Sequence, residues 1–145
     1  LKIALGSDHA GWSTKDQLLS MLTAAGHEVH DCGCAGPDSV DYPDFAAAVA
    51  RRVASGQAER GVLVCGTGIG VSIAANKLAG VRAAKLNDPE EARLSRAHND
   101  ANVACVGARV LDPSVLQDVV RAFLEGPFEG GRHQLRLDKI SQLEA

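Results

Sequence analysis

The sequence predicts an α/β protein, a single-domain three-layer α/β/α sandwich around a five-stranded, mostly parallel, Rossmann-like sheet. Three observations lead there. Short apolar runs alternate with helix-period patterns along the whole chain. Several of the runs are continuously apolar, as strands of a parallel sheet covered on both faces must be. Cap and turn residues stand between the runs, where the chain has to change direction.

Taken in order, Lys2-Ile3-Ala4-Leu5 reads as the first strand, Glu28-Val29-His30 as the second and Gly61 to Cys65 as the third. Val81-Arg82-Ala83-Ala84 and Val103 to Val106 supply the fourth and fifth. Leu18, Leu22 and Ala25 share one helical face, and Gly26 is placed to end that helix. Phe45, Val49 and Val53 form the next stripe, opened by Pro43 and closed by Gly56. Val71 to Lys77 reads as the first turns of another helix. Asp88-Pro89-Glu90-Glu91 offers an N-cap, a proline at the first helical position and an acidic residue three after the cap, opening a helix from Pro89 to Ala97. Asp112-Pro113 opens a helix carrying Leu116, Val119, Val120 and Phe123, and a last helix from about 130 to 143 follows Gly130-Gly131.

The bulk numbers fit one domain spanning 1–145. Apolar residues make up 46% and charged residues 23%, and with five aromatic residues the core must be built from Ala, Val, Leu and Ile. A net charge of −3 with no long run of like charges weighs against nucleic acid as a partner. No stretch approaches the ~18 apolar residues of a membrane span. No signal-peptide pattern precedes Leu1, and the absence of an initiator Met suggests processing or a trimmed terminus. Cys32-Gly33-Cys34 is too tight for C-x-x-C chemistry and reads as a strand-end turn, while Cys105 reads as a core thiol. A cytoplasmic protein with reduced thiols is expected. His27 and His30 read as structural.

In sheets of this kind ligands bind beyond the carboxyl ends of the strands, where both Gly6-Ser7-Asp8-His9 and Cys65-Gly66-Thr67-Gly68-Ile69-Gly70 fall. The second stretch is the most telling. A thiol ends a buried strand, glycines at alternate positions let backbone N–H groups converge, and a helix N-terminus adds partial positive charge. A base beside an anion cradle is what chemistry on an anionic intermediate requires. A dinucleotide loop would need glycine at position 71, which is Val71, and no Gly-Lys-Ser/Thr follows for a P-loop. A cysteine phosphatase would want arginine at that same position. The alternative is a tight strand–helix turn with a core cysteine.

The other polar groups are ambiguous singly. Asp8 and His9 can contact hydroxyls or a phosphate, or can be a cap with a surface histidine. His98, followed by Asn99 and Asp100, ends a helix, where a histidine is often only a dipole partner. Arg132 and Arg136 are four apart, so on a helix they share a face and suit a phosphate monoester; Arg109, after the fifth strand, is a third such candidate. His133 falls on a different face and is assigned no direct role.

Together these motifs are specific. Asp8-His9, Asp41-Tyr42-Pro43, Cys65 to Gly70, Ser95-Arg96-Ala97-His98-Asn99-Asp100 and Gly130-Gly131-Arg132-His133-Gln134-x-Arg136 occur in order and at fitting spacing. The chain resembles the ribose-5-phosphate isomerase type B family, which also holds allose-6-phosphate and galactose-6-phosphate isomerases, from Lys2 to about Leu143. The resemblance implies an aldose–ketose isomerase that interconverts ribose 5-phosphate and ribulose 5-phosphate, with a six-carbon sugar phosphate as the alternative substrate. It implies Cys65 as the base moving a proton between C1 and C2. It implies the amides of Gly66, Gly68, Ile69 and Gly70 with the Thr67 hydroxyl as the enediolate cradle, and His98, with Asn99 beside it, as the ring-opening group. Asp8 and His9 match substrate-binding positions, Arg109, Arg132 and Arg136 match phosphate positions, and Tyr42 matches the pocket lining. Some members use a Glu just after the last loop glycine instead of the cysteine; here that position is Val71, which places the chain with the cysteine-base type.

The resemblance further implies a homodimer or dimer of dimers with shared sites, so that His98 and some arginines serve the neighbouring subunit's Cys65. No cofactor and no metal are expected, since no ligand cluster with metal spacing is visible in the sequence. The chemistry agrees. Removing a weakly acidic proton alpha to a carbonyl needs a positioned base and a stabilised oxyanion, and a thiol with pKa ~8.5 serves near neutrality where loop amides favour its thiolate. A remote phosphate held by arginines orients the reacting carbons. Two other readings stand beside this one: a non-catalytic phosphate- or nucleotide-binding module, and a thiol-redox or thiol-phosphatase enzyme, the latter opposed by the missing C-x-x-C and the missing arginine.

Overall fold

A computed structural model describes residues 1–144. The strands are β1 (Lys2–Ser7), β2 (Glu28–Asp31), β3 (Arg60–Cys65), β4 (Ala83–Lys85) and β5 (Val103–Gly107). The helices are α1 (Trp12–Ala24), α2 (Tyr42–Ala54), α3 (Ile69–Ala75), α4 (Pro89–Asn99), α5 (Pro113–Glu125) and α6 (Arg132–Gln142). The strands form one sheet in the order β2-β1-β3-β5-β4, and every neighbouring pair is parallel.

Alternate residues of each strand feed opposite faces. Ile3, Leu5, Val62, Val64, Ala104 and Val106 pack under Leu18 and Leu22 of α1, Ala92 of α4, and Leu116, Val119, Val120 and Phe123 of α5. Ala4, Leu63, Cys65, Val103 and Cys105 point the other way, against Ala46, Val49, Ala50 and Val53 of α2 and Val71 and Ala75 of α3. Each fully buried Val, Leu or Phe on these faces contributes about 1.5–3 kcal/mol.

The expected caps act at α4, where the Asp88 carboxylate accepts the Glu91 N–H at 2.7 Å. The return bond lands one residue early: the Glu91 carboxylate accepts the N–H of Asn87, at 2.8 Å. Asp112 makes no side-chain cap bond, yet α5 starts at Pro113 as its proline dictates. Several boundaries move by one or two residues. β1 runs on to Ser7, and α3 begins at Ile69, two residues before the apolar pattern suggests. β4 begins at Ala83 rather than Val81, because Arg82 is held by Asn102: its N–H donates to the Asn102 side chain at 2.7 Å and its carbonyl accepts the Asn102 N–H at 2.9 Å. The exposed edge of β4 is in turn closed by the Asn76 amide, which accepts from the Ala83 N–H and donates to its carbonyl. No helix among the described residues is long and apolar enough to cross a membrane.

Candidate active site

The sheet order reverses between β1 and β3, so the loops leaving their carboxyl ends diverge to opposite faces and leave a crevice. Cys65 ends β3 there, 5% exposed. Its Sγ accepts the Gly68 N–H at 3.1 Å, the placement from which an amide solvates a thiolate. Gly68 makes the turn possible: its φ is +81°, and a Cβ there would stand 3.0 Å from the Val106 carbonyl carbon. The Thr67 Oγ accepts the Ile69 N–H at 3.1 Å. Two loop amides are thus committed, leaving those of Gly66, Thr67 and Gly70 for an incoming oxygen. With α3 only seven residues long, these amides rather than a long-helix dipole carry the anion preference.

The neighbouring groups close round this loop. Asp8 is buried, and its Oδ1 accepts the N–H groups of Ala10 at 2.9 Å and Gly11 at 3.1 Å. His9 Nδ1 accepts the Val40 N–H at 3.2 Å, which puts the proton of a neutral ring on Nε2. The Arg109 backbone N–H donates to the Gly66 carbonyl at 3.0 Å, and its guanidinium lies over the same glycine, where a Cβ would meet Nη1 at 3.3 Å. Tyr42 covers Gly70 so closely that a Cβ there would lie 2.6 Å from the ring. Val71, the position of the alternative Glu base, is fully buried in the core.

His98, Asn99, Arg132 and Arg136 are elsewhere. α4 runs antiparallel to the strands, and its last turn leads through Asp100–Asn102 into the start of β5. His98 therefore stands at the Gly61/Val103 end of the sheet, whereas Cys65 is paired with Gly107 at the other. A strand of this length separates the two ends by roughly 15 Å at about 3.3 Å per residue.

A side-chain network builds this second cluster. Arg96, 3% exposed, donates from Nη1 to Asp100 Oδ1 at 2.8 Å and to the Ala101 carbonyl at 2.6 Å, and from Nε to the Gly126 carbonyl at 3.1 Å. Asp100 caps α4 in the left-handed region with φ 44°. The Glu129 N–H donates to the Ala97 carbonyl at 3.0 Å, drawing the segment before α6 onto the end of α4. His133 is then stacked on His98, ring centroids 4.4 Å apart and planes inclined by 13°. The Glu129 carboxylate lies 3.9 Å from His98 Nε2 and 3.6 Å from His133 Nε2. Arg132 and Arg136 are exposed on the flank of α6 about 100° round the helix from His133 and Leu137, and no carboxylate pairs with them among the described residues.

Sequence reasoning assigned Arg96 and Glu129 no role and His133 no direct role; the structure places the His133 ring off the arginine face and stacked on His98. Among the described residues His98, Glu129 and His133 also form a group of ligand-type side chains, their donor atoms within 4.8 Å of one another. The only local signal was the i, i+4 spacing of Glu129 and His133; their approach to His98 depends on the packing of α6 on α4.

Comparison with known proteins places this arrangement. Residues 3–140 match the family described as ribose/galactose isomerase. Ribose-5-phosphate isomerase B of Escherichia coli is 46% identical over 143 residues, covering 99% of this chain and 96% of that protein. The structure of ribose-5-phosphate isomerase B from Clostridium thermocellum superimposes with a TM-score of 0.98 at 47% identity, over 99% of this chain and 97% of the other. That of the Mycoplasma genitalium enzyme with bound ribulose 5-phosphate gives 0.96 at 42% identity, over 99% and 95%. On sequence and fold alike, the chain belongs to the ribose/galactose isomerase family.

Proposed function

We propose that this protein is a cytoplasmic aldose–ketose isomerase that interconverts D-ribose 5-phosphate and D-ribulose 5-phosphate in a site shared between two copies of the chain. The observation that carries the reading is the Cys65 thiol, held by the Gly68 amide on the glycine loop that leaves the carboxyl end of β3 at the switch point. In the forward direction His98 opens the furanose, Cys65 removes the C2 proton, and the free loop amides of Gly66, Thr67 and Gly70 hold the enediolate oxygen while the proton returns to C1. Asp8 and His9 bind sugar hydroxyls, and Arg109, Arg132 and Arg136 take the phosphate.

The separation of His98 from Cys65 within one chain supports sharing. So does an apolar groove of about 670 Å³ whose walls include Val81, Asn99, Leu137, Ile140 and Leu143. α3, which leaves the glycine loop, exposes Ile69 and Ile73 at 49% and 59%. Seating this face of one copy in the groove of the other buries both and brings the first copy's loop beside the second copy's Asn99 and His98.

The test is NMR of the reduced protein with ribose 5-phosphate in heavy water. Ketose formation, with or without deuterium at C1 or C2, is expected; a folded protein that leaves this sugar unchanged while turning over allose 6-phosphate would move the assignment to six-carbon substrates. Silence with both would leave a phosphate-binding module.

A further inference from the structure

We infer that His133 is a positioning residue for His98, its ring face setting the orientation in which His98 meets the sugar ring. The inference rests on reading His98 as the ring-opening group. Opening a furanose moves the proton of the anomeric hydroxyl to a base while the C1–O4 bond breaks and O4 takes up a proton. One imidazole can accept the first and return the second with no net change, provided one nitrogen faces both oxygens in turn. His98 is half-buried on the last turn of a helix, and the torsion that turns its ring is intrinsically soft. Something must hold the ring.

The stacked His133 does so. It is 6% exposed in the first turn of α6, one turn before the buried Leu137, while Arg132 and Arg136 are exposed. Its Nε2 is buried without a hydrogen-bond partner, because Glu129 Oε1 at 3.6 Å is beyond hydrogen-bond reach. What the side chain offers His98 is its flat face, in a near-parallel stack. Burial, and then the neighbouring Arg132, His98 and Arg136, push His133 below the ordinary histidine range against the opposing pull of Glu129. The platform is therefore neutral near pH 7 and tolerates His98 in either protonation state. The same geometry argues against one cation being held by both rings: nearly parallel planes aim their nitrogens side by side, not at a common point.

The substrate pair supplies a clean test. Ribose 5-phosphate is a furanose that must be opened, whereas ribulose 5-phosphate, with O5 phosphorylated, has no oxygen placed to close a five-membered ring. Three proteins are compared: wild type, His133→Ala and His133→Phe. Each is assayed for turnover of ribose 5-phosphate and for deuterium exchange into ribulose 5-phosphate. His133→Ala is expected to lose roughly 10- to 100-fold in kcat on ribose 5-phosphate, to keep exchange into ribulose 5-phosphate, and to shift the His98 ring proton resonances as the stacked ring's shielding disappears. His133→Phe, which retains a flat ring, restores most of the lost rate. Wild-type turnover by His133→Ala overturns the inference, and so does an equal loss in the Ala and Phe variants. Equal loss of both reactions in His133→Ala, with the fold intact by circular dichroism, also overturns it, because the role is then general packing. If wild type itself performs neither reaction, the isomerase reading has failed instead, and the His98 resonances still report whether the stack exists.

Discussion

At the carboxyl end of β3 the chemical groups are placed by backbone, and at the opposite end of the sheet, round His98, they are placed by side chains. The Cys65 end is contiguous: a thiol, a turn whose left-handed Gly68 no other residue fits easily, and amides that bind Sγ and Thr67 within four residues. The His98 end is assembled from α4, the segment after α5, and α6, tied by Arg96 and the Glu129 amide. Local geometry gives the first end its rigidity. The second depends on a buried ion network, so a change far from His98 in sequence can disturb it.

The largest effect comes from testing whether the two ends meet across copies. Cys65→Ala and His98→Asn should each lose about 10³-fold or more in turnover of ribose 5-phosphate, the range of a deleted general base or acid. Mixed in equal amounts and allowed to exchange subunits, they should recover about a quarter of wild-type activity: half the dimers are mixed, and each has one intact site of its two. A mixture that stays inactive, with exchange shown by mass spectrometry, would confine the site to one chain.

Substrate binding is tested by Arg136→Ala. Removing one guanidinium from the exposed face of α6 should weaken a phosphorylated inhibitor about 10-fold or more, a charge-assisted bond being worth about 1.5–3 kcal/mol. Thermal stability should barely move, since Arg136 pairs with no carboxylate among the described residues. Calorimetric titration checks the first point. An unchanged affinity would remove α6 from the phosphate site and with it one reason to bring the two ends together.

Arg96→Leu probes the side-chain end directly. The substitution strands the Ala101 and Gly126 carbonyls and frees the Asp100 carboxylate, which keeps only its 3.4 Å pair with Arg82. A loss of about 3 kcal/mol in denaturant unfolding is expected, since breaking a buried ion pair by removing one partner typically costs 3–5 kcal/mol and Asp100 is partly solvated. Ring opening should fall with it, while the Cys65 loop, held by its own amides, keeps its exchange chemistry on ribulose 5-phosphate.

How far each end could be read from the sequence follows from the same difference. The strand–loop–helix run at Cys65 was legible because glycine spacing, the apolar strand before it and the thiol are neighbours in the chain. Its detail was not: which amides are spent, on Sγ and on Thr67, depends on a turn geometry that composition does not specify. The five strands, the cap at Asp88 and the start of α5 at Pro113 were legible for a similar reason, being local. β4 was displaced by two residues because Asn102, twenty residues on, competes for the Arg82 backbone. The stacking of His133 was not foreseen because its partner lies on another helix, and no periodicity within α6 separates a core-facing histidine from one that stacks on a second ring.

The smallest effect isolates what holds His98. Asp88→Ala removes the N-cap bond at the far end of the helix that carries it. A loss of about 1 kcal/mol is expected in denaturant unfolding. If Arg96 and the α6 stack fix His98, kcat on ribose 5-phosphate should stay at the wild-type value, because fraying the first turn of α4 leaves the last turn anchored to Ala101, Gly126 and Glu129. A fall in kcat that tracks the stability loss would mean that α4 moves as one body, and that the side-chain end owes its geometry to the whole helix rather than to the network at its C-terminus.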